Sequence, residues 1–463
     1  MFKRTFSLNL VFLFALSVPA SAQNRFVPLE YQTIREAIAK CNHGDVVILE
    51  PAVYTGPDNR NIDFMGLAIT IKSTNPSNPH IVNTTVIDCE NAGRAFIFQS
   101  GEDANSVLAG LTIINGKSVY GGAINFSNAT KPKVANCVFS ANSASYGGAV
   151  ACGGGSRPLL ANCIIKGNSA VLGGAIYSNA AAPTITNSLI VANVASLGGA
   201  IGSALNSAAV RNCTFTGNNA SAGGAIYCYS SSSVSLENTI LWQNTAAAGP
   251  QLFLANSARA DVIYCDVHGG PSNAVVKDGC TLNWDAGSIA DDPCFVQSDG
   301  DYHLLENSPC IDTGSPLLIP VPAETDIDGD PRIINKRVDI GADEFSDIAI
   351  PAYLAVYPPS LNLASNAQWI KCHIWFPEGY NVADVNSSSI FLAVKENKIL
   401  PQKIEIDEVQ QLVVVRFDCL DLQRIVSAGL VELTAGGRFI DGTKFKAADT
   451  IKVIDNRGGK PSK

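Results

Sequence analysis

A small glycine-rich phrase repeats through the middle of the chain and sets the pattern of apolar and polar positions there. Gly-Gly-Ala begins, at intervals of 26, 26, 25 and 25 residues, at Gly121, Gly147, Gly173, Gly198 and Gly223. An apolar residue follows each copy, and other apolar columns keep the same interval. A fixed period of this length predicts a solenoid, in which each repeat stacks on the one before.

Each repeat contains three short runs that are alternately or wholly apolar, separated by Gly, Asn and Ser. None of the runs is long enough for a helix, and none has a period of 3.6 residues. The Leu-x-x-Leu-x-Leu phrase of leucine-rich repeats is absent. The repeat therefore predicts a right-handed parallel β-helix with three short strands in each coil.

Two columns of asparagine mark the corners of the predicted coils. The first column contains Asn136, Asn162, Asn187, Asn212 and Asn238. The second contains Asn142, Asn168, Asn193, Asn218 and Asn244. Stacked strands lie about 4.8 Å apart, and Asn tolerates a left-handed backbone. We therefore predict that each column forms a hydrogen-bonded ladder.

The period changes upstream of the repeats. Thr33 precedes a short amphipathic pattern that places Ile34, Ala37 and Ile38 on one face, and the segment 46–49 then reads as a buried strand. The open end of a solenoid exposes its core, so a helix at this point predicts a cap.

Beyond the repeats, residues 349–455 alternate as separate strands with Gly, Pro and Asn between them. About seven short strands in about a hundred residues predict an immunoglobulin-like β-sandwich. Cys372 and Cys419 fall on, or just beyond, two of these strands, and we expect them to form a disulfide. The whole protein is thus expected to be all-β.

The first residues have the form of a secretory signal peptide. Lys3 and Arg4 precede an apolar run, and Ala20-Ser21-Ala22 offers a cleavage site after Ala22. The run is too short to span a bilayer, and no later stretch is long enough. The predicted organisation is a signal peptide at 1–22, a β-helix at 23–348 with its cap at 28–56, regular coils at about 105–260 and a closing segment at 301–345, a sandwich at 349–455 and a loose tail at 456–463. We expect a secreted or surface-associated protein.

Composition narrows the classes of partner. The net charge is -9 and the pI about 5.1, which makes nucleic acid and anionic membranes poor partners. Thirteen cysteines cannot all pair within one chain, and several share columns with serine, as interior filler does. An extracellular glycan or a cell-surface component fits this balance better; the ligand's identity and the oligomeric state stay open.

Three segments and the repeats themselves carry a resemblance to known families. The segment EYQTIREAIAKCNHGDVVILEPAVYTG, 30–56, resembles the amino-terminal cap of secreted right-handed parallel β-helix proteins, the superfamily of pectate lyases and pectin methylesterases. The segments 93–116 and 324–345 are similar to the first turns and to the closing segment of bacterial exported β-helix proteins. The Gly-Gly-Ala-Ile repeats resemble the passenger repeats of chlamydial polymorphic outer membrane proteins, a resemblance that implies adhesion.

The closing segment has the most charged phrase of the chain. Asp326, Asp328 and Asp330 alternate around Gly329 and resemble half of a calcium loop, although no Glu closes it at the EF-hand distance. The interpretation that we favour is a polar cap whose carboxylates accept backbone N–H groups and pair with Arg332 and Arg337, with bound calcium as the alternative. Calcium is the only cofactor that this pattern indicates.

The charged residues of the chain can be compared with those that polysaccharide-cleaving enzymes require. Lyases need calcium-binding carboxylates beside an Arg or Lys base, and hydrolases need two close carboxylates. Between 119 and 260 the charged residues are Lys131, Lys133, Arg157, Lys166, Arg211, Glu237 and Arg259. This stretch contains no Asp, and the five histidines of the chain are scattered. Carboxylates do gather towards the ends of the coils, near 88–103 and 285–292.

The sequence leaves catalysis open and leans against it. Tyr146, Tyr177 and Tyr227, on a surface rich in Asn, Ser and Thr, suit sugar rings and hydroxyls, or are ordinary solvent-facing positions. The leading hypothesis is an exported, non-catalytic protein for surface adhesion or carbohydrate binding. The alternative is a polysaccharide lyase or glycosidase, which three or more carboxylates converging with a Lys or Arg in a groove would favour.

Overall fold

The structure is a computed structural model that describes residues 22–296, 302–319, 324–334, 336–346, 349–377, 380–440 and 443–455. The predicted signal peptide, except for Ala22, and the predicted tail lie outside these residues. No helix in the described ranges is long and apolar enough to cross a membrane. The chain first winds into a parallel β-helix and then forms an antiparallel β-sandwich.

Four parallel sheets form the walls of the β-helix, and we number them I to IV in the order in which a coil passes through them. Sheet I stacks Asn24–Val27, Val46–Leu49, Thr70–Ser73, Val107–Ala109, Lys133–Ala135, Leu159–Ala161, Thr184–Thr186, Ser207–Arg211, Ser233–Glu237, Arg259–Ile263 and Thr281–Trp284. Sheet II stacks Ala52–Tyr54, Thr85–Asp88, Thr112–Ile114, Val138–Ser140, Ile164–Lys166, Leu189–Val191, Thr214–Thr216, Ile240–Trp242 and Asp266–Val267.

The other two walls follow in each coil. Sheet III stacks Lys117–Tyr120, Ser143–Tyr146, Ser169–Leu172, Val194–Leu197, Asn219–Ala222 and Thr245–Ala248. Sheet IV stacks Ile62–Asp63, Phe96–Phe98, Ile124–Phe126, Val150–Cys152, Ile176–Asn179, Ile201–Ala204, Ile226–Tyr229, Leu252–Leu254 and Ala274–Val276. The β-helix predicted from the period is confirmed.

In-register pairing explains why the sequence repeats. Phe139 lies between Ile113 and Ile165 in sheet II, and all three side chains are fully buried. A column that is apolar in one coil must therefore be apolar in the next. Full burial of such a side chain contributes about 1.5–3 kcal/mol, so the repeated columns account for one continuous core.

The sequence predicts three strands in each coil, and the strands of sheet III are a fourth that it does not predict. Its strands mix exposed and half-buried positions and are built of Ser, Ala, Val and Asn, as in Ser143–Tyr146 and Asn219–Ala222. Without an apolar inward face, these stretches resemble corners. They become strands because the neighbouring coils supply parallel partners in register.

The second asparagine column forms a continuous ladder inside the coils, which we call the inner ladder. The backbone N–H and the Nδ2 of Asn193 both donate to Oδ1 of Asn218, at 3.0 Å each, and Asn168 donates in the same way to Asn193. Gly116 N begins the ladder and Gln251 Oε1 ends it. Each Asn thereby satisfies the corner of its own coil and of its neighbour.

Two short helices interrupt the coils. The predicted cap helix is confirmed as α1, Ile34–Ile38, and its N-cap Thr33 accepts a hydrogen bond from the backbone N–H of Glu36. The helix α2, Pro79–Thr84, was not expected from the sequence; Asn78 caps it and a proline occupies its first position. Single-turn 3₁₀ helices lie at Pro57–Asn59, Gly270–Asn273 and Val382–Asp384.

The predicted sandwich is present and consists of two facing sheets. One sheet contains Ala349–Pro351, Lys444–Ile454, Gly429–Phe439, Val385–Val394, Asn397–Ile399 and Ser360–Asn362. The other contains Tyr353–Tyr357, Trp369–Trp375, Leu412–Asp418 and Pro401–Asp407. The helix α3, Cys419–Ile425, follows the strand that ends at Asp418, and the sandwich has its own apolar core.

The expected disulfide between Cys372 and Cys419 is not formed, and both cysteines are free and buried. Cys372 pairs with Val415, four residues before Cys419. At about 3.3 Å per residue the two cysteines are separated by roughly 13 Å along the strand, whereas a disulfide needs Cα atoms within about 7 Å.

Replacing Asn193 by Ala tests the inner ladder. The change leaves the buried N–H of Asn168 and the carbonyl of Ile165 without the bonds that Asn193 supplies. We expect a loss of about 2–5 kcal/mol in the free energy of unfolding, because each unsatisfied buried group costs about 1–3 kcal/mol. Urea denaturation of the full chain, followed by circular dichroism, measures the loss. The exposed Asn219→Ala is the matched control and should change stability by less than about 0.5 kcal/mol; equal effects would contradict the ladder's role.

The buried carboxyl group of Asp266, in sheet II, should make the stability of the protein depend on pH. It is fully buried, and its Oδ2 accepts a hydrogen bond from the Cys310 thiol at 3.3 Å. Burial, helped by Asp291 and Asp292, raises its pKa from 3.8 to about 7. The native state therefore holds this proton more tightly than the unfolded state, and the stabilisation present below pH 4 is lost as the pH rises to 7.

We expect Asp266→Asn to remove this pH dependence. The stability of the wild type relative to the variant should fall by up to about 4 kcal/mol between pH 4 and pH 8, from about 3 pKa units at 1.36 kcal/mol each. Urea denaturation at both pH values provides the measurement, and Asp421→Asn on the exposed side of α3 is the control. Parallel pH profiles for the wild type and Asp266→Asn would show that the buried carboxylate is already ionised at pH 4.

Candidate functional site

The closing segment, 302–319 with 324–334 and 336–346, lies along the side of the β-helix. We expected it to cap the end. Its Thr325 carbonyl accepts from Asn162 Nδ2 at 3.3 Å, its Ala342 N–H donates to Thr214 Oγ1 at 3.1 Å, and Gly341 N–H donates to the Asn238 carbonyl at 2.9 Å. These contacts run across several coils, so the segment covers the outer face of sheet II.

The first asparagine column binds this segment and completes only part of the predicted ladder. Its members, Asn136, Asn162, Asn187, Asn212 and Asn238, all have left-handed backbones, with φ of 47–53°. Asn238 donates to Asn212 and Asn212 to Asn187, at 3.1 and 3.0 Å. Asn187 then donates to Glu324 of the closing segment, and no side-chain bond among the described residues joins Asn136 to Asn162. Asn162 and Asn187 do not extend the ladder because the closing segment accepts their amide N–H groups.

Asp326 organises a tight turn and is not placed as a metal ligand. Its Oδ1 accepts the backbone N–H groups of Asp328, Gly329 and Asp330 at 2.8–3.0 Å, and its Oδ2 accepts that of Glu344. Burial and the nearby carboxylates raise its pKa well above the ordinary value. Asp326 thus accepts backbone N–H groups as the favoured cap interpretation expects, and the alternative calcium triplet is divided, with Asp326 turned into the protein and Asp328 and Asp330 half-buried on the turn.

A buried ion pair fixes the base of the segment. Arg332 is fully buried, lies 2.9 Å from Glu344, and donates to the carbonyls of Gly341 and Ala342. The sequence prediction paired the Asp triplet with nearby arginines, but Arg332 bonds Glu344 in their place. Breaking one partner of such a pair typically costs 3–5 kcal/mol, so the pair holds the segment in one position.

A cavity of about 450 Å³ separates the closing segment from the sandwich, and we call it the junction cavity. Its polar lining consists of His303, Asp328, Asp330, Asp343 and Glu344 from one side and Tyr380, Arg438, Thr443 and Lys444 from the other. This volume lies in the range of small-molecule sites, which favour boundaries between domains. Carboxylates and basic residues therefore line one cavity, which is the feature that would favour the alternative of a polysaccharide-cleaving enzyme.

His303 brings together residues that the sequence does not connect. Its Nε2 lies 2.6 Å from Oδ2 of Asp328, and Asp343 offers a second oxygen, so that the three ligand atoms all lie within 4.8 Å of one another. The three residues are 25 and 15 positions apart in the chain, which is no recognised metal-ligand spacing. The sequence gives His303 no metal-ligand partner, because the five histidines are scattered along the chain. The three residues come together only in the fold.

Aromatic rings form a stripe along the outside of sheets III and IV, which we call the aromatic stripe. Its rings belong to Tyr120, Tyr146, Tyr177, Tyr227, Tyr229 and Phe253. The centroids of consecutive stacked rings lie 5.0–5.6 Å apart, and the Tyr177 and Tyr229 hydroxyls are 3.4 Å apart. The stripe crosses six coils, about 24 Å at the strand spacing.

One coil contributes a gap to this stripe. Gly202 lies between Tyr177 and Tyr227 in sheet IV. A Cβ there would lie 2.9 Å from Cγ of Leu172, so the missing side chain makes room for that leucine. Tyr120 is 48% exposed, whereas Tyr177 is nearly buried. The accessible rings therefore lie towards the two ends of the stripe.

The other carboxylates near the amino-terminal end are structural in this fold. Glu102 accepts the backbone N–H groups of Gly66 and Ser100, and Glu90 pairs with Arg60. These bonds hold irregular loops of the first coils. No lyase-like group of carboxylates with a base faces outward from the described coils between 119 and 260, where six of seven charged residues are basic.

Comparison with known proteins supports the fold. Residues 69–241, less than half of the 463, match the family model described as a right-handed β-helix region. No curated protein matches the chain significantly. A crystal structure of pectate lyase Pel9A is similar over 67% of this chain and 90% of that chain, with 13% identity and a TM-score of 0.38. A likeness of that size carries no argument, so the comparisons contribute the match to the right-handed β-helix region alone.

Proposed function

We propose that this protein is an exported carbohydrate-binding rod, in which the aromatic stripe receives a polysaccharide chain lying along the coils. The stacked rings carry the proposal. Neighbouring rings cover much of one another's faces, so their outward edges and hydroxyls, together with the half-exposed ring of Tyr120, are the groups that meet a sugar. The rings lie on five of six successive coils, with a gap at Gly202, and offer an extended polymer several contacts.

The surroundings of the stripe favour a sugar over other ligands. Asn, Ser and Thr dominate the surface of the repeats, and their groups both donate and accept hydrogen bonds, as sugar hydroxyls require. Residues 119–260 contain six basic residues, no Asp and a single Glu, Glu237, so the balance of charge in this stretch does not repel an acidic polymer. Export, which would bring the rod to such polymers, rests on the signal-peptide pattern of 1–22.

Binding of polysaccharides by the full chain tests this proposal. Isothermal titration with neutral and uronate-containing polymers should show binding, and Tyr120→Ala and Tyr146→Ala should each weaken it roughly 2- to 10-fold, since a ring contact contributes about 0.5–1.5 kcal/mol. Tyr353→Ala is the matched control, because Tyr353 is 56% exposed and stacks on Trp375 in the sandwich. Binding that survives both stripe variants, or that Tyr353→Ala removes, would contradict the stripe.

A second function is favoured by the junction cavity. Asp328, Asp330 and Asp343 meet Arg438 and Lys444 there, which is the arrangement of acid, base and cation that cleavage of a polysaccharide end would need. The cavity accommodates a small ligand and leaves no room for a polymer running through it. Cleavage would therefore act on a chain end.

Product formation distinguishes the two functions. Incubation with the same polymers, with and without divalent ions, should release unsaturated or reducing sugars if the cavity is catalytic, and Asp328→Asn should lower the rate at least 100-fold, the scale of a general acid or base. Tyr146→Ala should leave the rate on short oligosaccharides unchanged. Polymer binding without any product would leave the rod as a binding protein alone.

A further inference from the structure

We propose that His303, Asp328 and Asp343 bind a divalent transition-metal ion on the wall of the junction cavity. Imidazole Nε2 and two carboxylate oxygens, all within 4.8 Å of one another, form the ligand set. A tetrahedral ion with bonds of about 2.1 Å holds its ligands roughly 3.4 Å apart. Binding therefore requires Nε2 of His303 and Oδ2 of Asp328 to separate from 2.6 Å by less than about 1 Å, which side-chain rotation supplies.

Hydrogen bonds with the backbone hold the Asp343 carboxylate and fix the turn that carries Asp328. Oδ2 of Asp343 accepts the N–H of Leu304 at 2.9 Å, so the residue next to His303 anchors it. Asp343 is 8% exposed, and no donor among the described residues reaches its other oxygen. The N–H of Asp328 is fixed on Asp326. Little conformational freedom is lost when such groups bind an ion.

Charge in the turn also favours a cation. Asp326 and Asp330 share the turn with Asp328, so several carboxylates crowd the same end of the cavity as His303. Lys444 lies on the opposite wall, 4.4 Å above the ring of Phe345. A divalent ion at the three ligands would offset the repulsion among the carboxylates where they are closest.

The donor set selects a transition metal over calcium. Calcium takes six to eight oxygen ligands, whereas imidazole suits zinc, iron and related ions and the pair of carboxylates is compatible with them. Three protein ligands leave a position open towards the cavity, as in catalytic zinc sites. This assignment differs from the alternative of calcium at the Asp triplet and shares only Asp328 with it.

The competing explanation is that His303 and Asp328 form an ion pair and nothing else. An ion pair needs only two of the three residues and gives Asp343 no role in binding. Metal content separates the explanations, because it depends on Asp343 in one of them only.

Metal binding by the full chain, stripped with a chelator and then titrated with Zn²⁺, Mn²⁺ or Ca²⁺, tests the site. We expect one Zn²⁺ per chain by mass spectrometry of the metal, a raised Tm in its presence, and intense visible absorption from tetrahedral Co²⁺. His303→Ala and Asp343→Asn should each reduce the affinity for Zn²⁺ at least 10-fold. The exposed His80→Ala and the α3 variant Asp421→Asn are the controls and should bind as the wild type does.

The outcomes are separable from misfolding and from the proposed functions. Asp343→Asn keeps the acceptor for Leu304, and circular dichroism of the metal-free variants should match the wild type. If Asp343→Asn nevertheless unfolds, Asp328→Asn, which leaves that hydrogen bond untouched, must show the loss of Zn²⁺. Binding of Ca²⁺ alone, binding unchanged in His303→Ala, or no stoichiometric metal would overturn the proposal. Polysaccharide binding and cleavage are measured in separate assays, so a failure of the metal site can be distinguished from a failure of the proposed functions.

Discussion

The parallel, in-register stacking of coils is the constraint on which the rest of this structure depends. It places each residue above its equivalent one period earlier, so any polar group at a buried corner must be satisfied by a copy of itself. Asn meets this demand because its amide has both an acceptor and donors. In the inner ladder, Oδ1 of Asn218 receives both the N–H and the Nδ2 of Asn193. The same demand explains why the column admits no substitute between Asn142 and Asn244.

The first asparagine column shows the effect of a second hydrogen-bond partner on such a ladder. Asn162 and Asn187 donate to the closing segment, and Asn238 holds Ser315 and Gly341 of it. A surface made of identical amides thus becomes a docking strip for a single irregular stretch of chain. That stretch buries Ile240 and Trp242 on the outside of sheet II, where a solenoid would otherwise expose them. The repeat therefore fixes where the non-repeating part lies.

The sequence predicted the features that recur and missed those that depend on one distant contact. The period, the inner ladder and α1 follow from local pattern. Sheet III does not follow from the sequence because its strands have little apolar face. Gly436 and Gly437 lie within the strand Gly429–Phe439. In the structure these glycines lie against the rings of Phe391 and Phe445, where a Cβ would be 2.5 and 2.6 Å away. His303 was missed for the same kind of reason, since no spacing links it to Asp343.

Chemistry in this molecule is found where the repeat ends or is broken. Columns held constant by stacking cannot carry a convergent set of different groups, because each coil would repeat the same group. Sheet IV departs from this at Tyr177, Gly202 and Tyr227, where one outward column changes identity from coil to coil. The closing segment departs completely, and among the described residues it brings an imidazole together with two carboxylates. The proposed ligand surface would then arise through one variable column and the proposed metal site through one irregular segment, without disturbing the ladder beneath.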